Sequence, residues 1–435
     1  MFPDVATPLT DAEAATADRV GPKAATLARL HHAGLPVPDG VCLTAGAYRR
    51  QVALAGLRET ARRVAGAEGF EARRLALAIR LGLTRAALDP SVAAALDAAG
   101  SRLMRGAGTQ LAVRSSALCE DRASASFAGQ FDTFLGIGEP ADLQTAVRAC
   151  WTSLWSARAL RYTRACGLDP SQSAMPVLIQ RMVEAEAAGG AFSLTADDQI
   201  VLTGTWGLGS AIAQGDVIPD RYLLRRDASV EAVEPGRKDH LVTAAGAGPR
   251  SRAVERERVE SPCLTDTEAE TLGRLVLQAE SALGSAVEIE WAKDGQGFWI
   301  VQARPLRVEA RGAPDDLWGR HPELTGQPAG IGWGTGPACV VLEERDLDRV
   351  TLGSVVVTQV GGPALAAVLP RAAGVVAELG GSTSHLAALA RERGIPAVLG
   401  ARGATRRIPP GATVAVDGIT GVVRWIHDTQ PLRRE

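Results

Sequence analysis

Apolar residues recur at helical spacing in two alanine-rich stretches near the amino terminus, at 52–79 and 85–105, with arginines on the opposite face. This pattern predicts amphipathic helices whose arginines face solvent. Short apolar runs elsewhere, such as 177–180 and 287–291, are typical of buried strands. Helices that alternate with strands in this way predict an α/β domain over residues 1–310.

The pattern changes in the last third of the chain. Proline, glycine and charged residues accumulate at 311–328, and we interpret this segment as a flexible linker. Beyond it, the apolar runs 355–358, 374–377 and 413–416 predict short buried strands around one central helix. Residues 329–427 are therefore predicted to form a second, smaller module, and the fold class of the chain is α/β (α+β).

The composition fits a folded globular protein and excludes several partners. The 435 residues are 46% hydrophobic and 22% charged, which argues against a mostly disordered chain. Forty-seven basic and 49 acidic side chains give a net charge of −2, so no global field attracts nucleic acid or an anionic membrane surface. We find no signal peptide and no apolar run long enough to span a membrane. Six scattered cysteines without a C-x-x-C pair fit a reducing cytoplasm.

The most informative stretch surrounds His385. A predicted strand ends in Gly380-Gly381, serine and threonine supply helix caps, and His385 opens a helix that Gly394 and Pro396 end. A helix N-terminus has free amide groups and a positive dipole end, which lower the pKa of an imidazole and stabilise an attached anion. A neutral imidazole there can act as a nucleophile and then carry a phosphoryl group. The alternative is a histidine that only caps the helix or packs in the core.

This stretch closely resembles the swivelling phosphohistidine domain of phosphoenolpyruvate synthase, pyruvate phosphate dikinase and their relatives. The resemblance covers residues 329–425 and includes 409–423, which is similar to the closing hairpin of that domain. It implies a small swivelling β/α domain in which His385 is phosphorylated. It also implies that Thr383 and Ser384, which precede the histidine, belong to the catalytic set.

The residues before the linker resemble the ATP-binding domain of the same enzymes, an ATP-grasp fold. The segment 20–27 matches the opening motif of that domain, and the resemblance implies that Lys23 is a catalytic residue that contacts nucleotide phosphate. A lone lysine after glycine is otherwise a solvated side chain. Gln180 falls where relatives cradle the adenine at the hinge between the two lobes. The segment 189–195 departs from the usual Ser-Gly-Val-x-Phe-Thr form.

Two further segments resemble the phosphate-binding parts of the ATP-grasp domain. The segment 111–121 begins as a β-run and carries Arg114, which occupies the position of the family's phosphate-binding arginine. A guanidinium can grip phosphate oxygens bidentately, although a structural ion pair would also explain it. The loop 126–130 is similar to the one that covers the nucleotide phosphates, so Gly129 and Gln130 are expected to bind the nucleotide there.

Two later segments, 287–292 and 299–305, resemble the metal-binding end of the same domain. Alternate residues on adjacent antiparallel strands share a face, so four polar side chains can converge: Glu288, Glu290, Gln302 and Arg304. The resemblance implies that Glu290 and Gln302 bind magnesium and the nucleotide, and that Arg304 completes the charge clamp. Glu288 stands where the family carries aspartate. The alternative is a set of charges on an exposed hairpin.

The resemblance implies an ATP-dependent, AMP-forming phosphotransferase that uses ATP and Mg²⁺. His385 would swing in on the linker and attack the β-phosphorus of ATP, and AMP would leave. The γ-phosphate would then be lost, and the remaining phosphoryl group would pass to a small-molecule acceptor with a hydroxyl, amine or amide. Rifampin phosphotransferase and glutamine kinase share both domains and place an acceptor domain between them.

Two alternatives stay open at the level of the sequence. Phosphoenolpyruvate synthase and pyruvate phosphate dikinase add a (β/α)8 barrel of about 250 residues, and ten residues follow Trp425, so we expect no barrel in this chain. It would then be the phosphohistidine-forming subunit of a split phosphoenolpyruvate synthase, with a partner protein supplying the acceptor site. The other alternative is a regulatory phosphocarrier that acts on a protein partner.

Overall fold

A computed structural model describes residues 4–11, 16–106, 108–119, 131–165, 167–195, 197–244, 248–306 and 321–426. Within these ranges, the helices are α1 (Ala17–Val20), α2 (Pro22–His32), α3 (Ala45–Leu54), α4 (Arg58–Gly66), α5 (Gly69–Arg85), α6 (Pro90–Leu103), α7 (Pro140–Ser153), α8 (Ala157–Ala165), α9 (Ser210–Gln214), α10 (Asp266–Leu283), α11 (His385–Glu392) and α12 (Ala404–Arg407). The expected helices near the amino terminus are present. The stretch 52–79 is divided among α3, α4 and α5. Gly56 adopts a positive φ of 66° after the end of α3 and accounts for the first break, and the second break lies between Gly66 and Gly69.

The strands of the same ranges are β1 (Ala6–Pro8), β2 (Gly40–Leu43), β3 (Leu111–Ser115), β4 (Thr133–Ile137), β5 (Val177–Arg181), β6 (Ala187–Phe192), β7 (Ile200–Trp206), β8 (Asp220–Leu224), β9 (Val230–Glu234), β10 (His240–Ala244), β11 (Pro249–Ala253), β12 (Val287–Asp294), β13 (Gly297–Pro305), β14 (Glu323–Thr325), β15 (Gln327–Gly330), β16 (Trp333–Val341), β17 (Ser354–Thr358), β18 (Ala372–Ala377), β19 (Ala397–Leu399), β20 (Thr413–Asp417) and β21 (Val422–Ile426). They confirm the strands expected at 177–180, 287–291, 355–358, 374–377 and 413–416. The mixture of helices and sheets confirms the α/β fold class.

The amino-terminal part contains two lobes, each with its own sheet and core. One lobe has a five-stranded sheet in the order β1-β2-β5-β3-β4, and helices α3 to α7 contribute to its core. The other lobe has a six-stranded antiparallel sheet in the order β13-β12-β6-β7-β8-β9, and α2 and α10 pack against it. The strands that carry Arg114 and Glu290 therefore lie in different lobes, and a group bound by both residues bridges the two sheets.

A buried ion pair stabilises the second lobe. The side chains of Asp220 at the start of β8 and of Lys238 are both fully buried, and the ammonium group of Lys238 donates to the carboxylate of Asp220. The same carboxylate accepts hydrogen bonds from the amide groups of Gly236 at 2.8 Å and Cys263 at 2.8 Å. A buried charge is tolerated when a partner and several hydrogen bonds compensate its lost hydration, and all of these are present here.

The carboxy-terminal module is an eight-stranded sheet in the order β14-β21-β20-β16-β17-β18-β19-β15. Its central strands β16, β17, β18 and β19 are parallel, and both of their faces are covered. On β17, Val356 packs into one core while Val355 and Val357 pack into the other. A strand buried on both faces requires apolar residues at every position, which explains the uninterrupted valine run. Strands β20 and β21 pair as the hairpin expected near the end of the chain.

The end of the expected linker differs from the prediction. Residues 307–320 lie outside the described part, but 323–330 form β14 and β15, which occupy the two edges of the eight-stranded sheet. Edge strands are short and carry glycine, proline and charge, because only one side of each is paired. That composition resembles a linker, so the prediction of a flexible segment through residue 328 is wrong from residue 323 onward.

The described cysteines are buried and unbridged: Cys42, Cys119, Cys150, Cys263 and Cys339 are all free thiols. In the ranges that the structure covers, no helix combines the length and the apolar character that crossing a membrane requires.

The Asp220–Lys238 pair generates a stability prediction. Replacing Asp220→Ala leaves a buried lysine and two amide groups without partners, so we expect the free energy of unfolding to fall by about 3–5 kcal/mol. Urea unfolding of the full chain, followed by tryptophan fluorescence, measures the change. The control is Asp142→Ala in the exposed first turn of α7, which we expect to cost less than about 1 kcal/mol. Equal effects of the two substitutions would contradict the assignment.

Candidate active site

Strands β12 and β13 pair so that the four polar residues of the sequence prediction lie opposite one another. Glu288 pairs with Arg304 and Glu290 pairs with Gln302 in the antiparallel register. The carboxylate of Glu288 accepts from Nε of Arg304 at 3.0 Å and from its Nη2 at 2.8 Å. The convergence expected from alternate positions on adjacent strands is therefore observed.

Arg114 reaches the same place from the other lobe. Its Nη2 donates to Oε1 of Gln302 at 2.8 Å and to Oε2 of Glu290 at 3.3 Å, and its Nη1 donates to the carbonyl oxygen of Val301. The Arg114 side chain is only 11% exposed, whereas Glu290 is 52% exposed. One guanidinium thus joins the β3 end of the first sheet to the β12–β13 hairpin of the second. A triphosphate bound between the lobes would meet this cation.

The Glu290 and Gln302 side chains fit the expected magnesium site. They present one carboxylate oxygen and one amide oxygen from opposed positions of the hairpin, which are the oxygen donors that Mg²⁺ prefers. In the part of the chain that the structure describes, no group of three or more His, Cys, Asp or Glu residues could hold a metal ion. A magnesium ion here would therefore complete its coordination with nucleotide phosphates and water, as Mg²⁺ commonly does.

Lys23 lies beside Arg114 but is oriented inward. It is 6% exposed, and its Nζ donates to the carbonyl oxygen of Ser115 at 2.9 Å. The start of α2 packs tightly on this strand end, because Ser116 Oγ accepts from the amide of Ala24 and a side chain at Gly21 would overlap the Ser116 carbonyl. The lysine is therefore near the expected phosphate site, and its contact with phosphate stays a prediction.

The structure describes only some of the other residues that are expected to bind the nucleotide. Gln180 on β5 is buried, and its Nε2 donates to the carbonyl oxygen of Pro38 at 3.2 Å. This places it between β2 and β3, where its contact with adenine stays a prediction. The loop 126–130, with Gly129 and Gln130, lies outside the described residues.

His385 begins α11, as the sequence predicts. Ser384 is the N-cap residue, and its side chain accepts from the amide of Ala387 at 3.3 Å. Thr383 extends to the ATP-grasp part, where its Oγ1 lies 2.7 Å from Oγ1 of Thr203 on β7. The helix ends beyond Glu392, and Gly394 has a positive φ of 63°. Ser384 thus has the capping role that the sequence predicts, whereas Thr383 contacts the other domain.

In the structure, the carboxy-terminal module is docked against the ATP-grasp part. This docked position favours a neutral imidazole at His385. Burial lowers its pKa, and the positive charges of Arg158 and Arg304 lower it further, to about 4. Arg304 belongs to the β12–β13 hairpin, so the histidine lies within the electrostatic influence of the expected phosphate site. A neutral imidazole retains the lone pair that a nucleophile requires.

The sequence reasoning missed the residues that join the two modules. Arg391 on α11 donates from Nη2 to both carboxylate oxygens of Glu288, at 3.1 and 3.2 Å. Gln327 donates to the carbonyl oxygen of Pro219 at 2.9 Å and accepts from the amide of Ser382 at 3.3 Å. An arginine directly after the apolar run 386–390 was the available signal for Arg391. No local pattern identifies its partner, because the two residues are 103 positions apart.

Comparison with known proteins agrees with this arrangement. Residues 17–320 match the pyruvate phosphate dikinase AMP/ATP-binding domain, and residues 350–421 match the mobile domain of PEP-utilising enzymes. The chain is 31% identical over 415 residues to a probable phosphoenolpyruvate synthase of Methanothermobacter thermautotrophicus, covering 93% of this chain and 61% of the relative. It is 33% identical over 441 residues to phosphoenolpyruvate synthase of Escherichia coli, covering 93% and 56%. The chain thus spans little more than half the length of these relatives.

Solved structures resemble parts of the chain. An NMR structure of Enzyme I is 33% identical over 19% of this chain and 34% of its own, with a TM-score of 0.18. A D-alanine–D-alanine ligase from Bacillus anthracis, complexed with ATP, is 9% identical over 65% of this chain and 54% of its own, with a TM-score of 0.24.

The fold and the matches define a class of protein in which a nucleotide-binding domain is joined to a mobile domain. The chain belongs to the pyruvate phosphate dikinase and phosphoenolpyruvate synthase family. Enzymes of this family are ATP-dependent, dikinase-type phosphotransferases that form AMP, and they use ATP and Mg²⁺. The family expected from the sequence is therefore confirmed.

The environment of His385 generates a titration prediction. We expect its imidazole to titrate near pH 4 in the docked protein, and Arg158→Met to raise that pKa only in part, because burial is the larger cause. An exposed histidine titrates near about 6.5. The undocked state then binds the proton more readily, so docking weakens as the pH falls from about 6.5 toward 4. NMR of labelled imidazole measures both effects.

The matched control for this titration is Arg161→Met, an exposed position one turn further along α8. We expect it to leave the pKa of His385 unchanged. A wild-type imidazole that titrates near the ordinary value of a free histidine would contradict the docked geometry.

Proposed function

We propose that this protein is an ATP-dependent phosphotransferase that forms phosphohistidine at His385 and releases AMP. The observation that carries the proposal is the meeting of Arg114, Glu290 and Gln302 across the two lobes, with His385 docked near Arg304 of the same hairpin. Phosphoryl transfer requires cations and oxygen ligands around the phosphates and a nucleophile positioned to attack the phosphorus. These described residues and the membership of the chain in the family support the proposed activity.

The first step forms a bond between an imidazole nitrogen of His385 and the β-phosphorus of ATP. The bond between the β-phosphorus and the oxygen bridging to the α-phosphate breaks, and AMP leaves with the bonding electrons. The proton of the attacked imidazole passes to solvent once the ring is substituted. Water then hydrolyses the γ-phosphate as inorganic phosphate, which leaves one phosphoryl group on His385.

The side chains around the phosphates have separate tasks. Arg114 neutralises charge that develops on the phosphoryl oxygens, and Arg304 and Lys23 are proposed to add to this clamp. Glu290 and Gln302 would hold magnesium, which supplies further charge neutralisation when it is bound. Gly129, Gln130 and Gln180 are proposed to contact the nucleotide, and Ser384 and Thr383 to fix the loop and helix that carry the histidine.

The second step transfers the phosphoryl group to an acceptor. We propose a small molecule with a nucleophilic hydroxyl, amine or amide, whose oxygen or nitrogen replaces the imidazole nitrogen on phosphorus. A second candidate is the phosphohistidine-forming part of a phosphoenolpyruvate synthase, with pyruvate as acceptor. It is favoured by the names of the similar proteins and by the fact that this chain spans 56–61% of their lengths. A regulatory phosphocarrier that acts on a protein is the third alternative.

Labelling by ATP tests the first step. With ATP labelled in the β-phosphate and Mg²⁺, we expect an acid-labile, alkali-stable label on His385 and release of one AMP per label. His385→Asn abolishes the label, and Arg114→Met lowers its rate by about 100-fold or more because a charge clamp is lost. Radiolabelling and chromatography of AMP measure both. Arg105→Met, an exposed arginine after α6, is the control and retains the wild-type rate.

The outcomes of this experiment are distinct. Labelling of His385→Asn at the wild-type rate would reject the phosphohistidine. In a second assay, AMP turnover with pyruvate identifies the phosphoenolpyruvate synthase reaction, turnover with other small acceptors identifies a separate kinase, and turnover only with added protein identifies the phosphocarrier.

A further inference from the structure

Arg391 is one of the side chains that cross the contact between the mobile domain and the ATP-grasp part, and it forms an ion pair there. Arg391 donates from Nη2 to both oxygens of Glu288 at 3.1 and 3.2 Å, and its guanidinium lies 4.7 Å from the ring centre of Phe192. Its Nη1 also donates to the carbonyl oxygens of Ala329 and Ser382 within its own domain. One amino group of the guanidinium, Nη1, is therefore held by the mobile domain, while the other, Nη2, pairs with the other domain.

Glu288 is a buried carboxylate shared by two arginines. It is 8% exposed and accepts two hydrogen bonds from Arg304 in its own hairpin and two from Arg391. A buried carboxylate is tolerated when charged partners and hydrogen bonds compensate its lost hydration, and here two guanidinium groups provide both. Undocking exposes it to water on one side and removes one of its two cationic partners.

The surfaces around the pair match in shape as well as in charge. A Cβ at Gly190 on β6 would lie 2.6 Å from Cβ of Thr383, which is closer than atoms can approach. The missing side chain therefore creates the space that Thr383 fills, and the hydroxyl of Thr383 meets Thr203 on the neighbouring strand. Gly190 falls in the segment that departs from the family's usual form. The mobile domain thus fits one position on this sheet.

We propose that Arg391 is a positioning residue that docks the mobile domain through Glu288 and so brings His385 to the phosphate site. The argument rests on the proposed function for its catalytic consequence, but docking itself is independent of it. A docked position that depends on one buried ion pair and a close steric fit is specific and can still be released. Such release is needed for the phosphoryl group to reach an acceptor.

Disulfide formation reports docking without any need for activity. The two hydroxyl oxygens of Thr203 and Thr383 lie 2.7 Å apart, so Thr203→Cys with Thr383→Cys should form a disulfide only when the domains are docked. In that background we expect Arg391→Met to slow disulfide formation at least tenfold. Gly190→Ala, which changes no charge, should slow it similarly. Peptide mass spectrometry distinguishes this disulfide from any that involves the buried native cysteines.

The matched control is Arg393→Met, which removes an arginine from the end of the same helix without touching the ion pair. We expect it to keep the disulfide rate of the parent. Unchanged disulfide formation in Arg391→Met would overturn the proposal, whereas unchanged formation in Gly190→Ala would reject only the steric fit at Thr383. A loss in Arg393→Met equal to that in Arg391→Met would also overturn it, because the effect would then follow from helix charge alone.

Labelling of His385 by two phosphoryl donors, ATP and phosphoramidate, distinguishes a loss of docking from a disturbed structure around His385. On the chain with native Thr203 and Thr383, Arg391→Met should lower labelling of His385 from ATP at least tenfold. Labelling by phosphoramidate should not fall, because phosphoramidate reacts without the ATP site and undocking exposes the imidazole. Arg391→Lys should restore part of the ATP-dependent rate. Equal losses with both donors would reject a positioning role. If the wild type takes no label from ATP while Arg391→Met still slows the disulfide, the proposed function fails and the docking role stands.

Discussion

The antiparallel pairing of β12 with β13 is the constraint on which the candidate site depends. In such a ladder, the residue opposite each position is fixed by the register, and alternate residues share a face. Glu288 therefore meets Arg304, and Glu290 meets Gln302. A slip of one residue in either strand would turn the two polar side chains of that strand to the other face. The core on the opposite face, which includes Ile289 and Trp291, makes that slip costly, so the packing of the lobe also sets the chemistry.

The two pairs have different tasks although they are neighbours on the same hairpin. Glu290 and Gln302 interact with Arg114 of the other lobe, so this pair lies where a nucleotide would bridge the sheets. Glu288 and Arg304 are more buried and face the mobile domain, where Arg391 joins them. The hairpin thus connects the phosphate site with the docking surface. Because Arg304 lies close to both, a charge that enters the phosphate site also changes the electrostatic environment of the docked histidine.

Much of the site could be predicted from the sequence because its parts are encoded locally. The cap at Ser384, the helix that starts at His385 and the alternation on β12 and β13 each involve residues within a few positions of one another. Two errors came from the same local reasoning. The edge strands β14 and β15 have the composition of a linker, and Gly56 interrupts a helical pattern that continues on both sides. In each case, the deciding factor was a neighbour or a backbone angle that composition does not specify.

Capping, periodicity and strand alternation act over short distances, so the order of residues alone specifies which residue types carry the chemistry and which elements hold them. Which of these residues meet depends on the packing of the lobes and domains. Three such contacts join positions that are far apart along the chain. Arg114 and Gln302 are 188 residues apart, Arg391 and Glu288 are 103 apart, and Thr383 and Gly190 are 193 apart (383 − 190). Such contacts depend on how lobes and domains pack, and their energy comes from burying charges and surfaces that are distant along the chain.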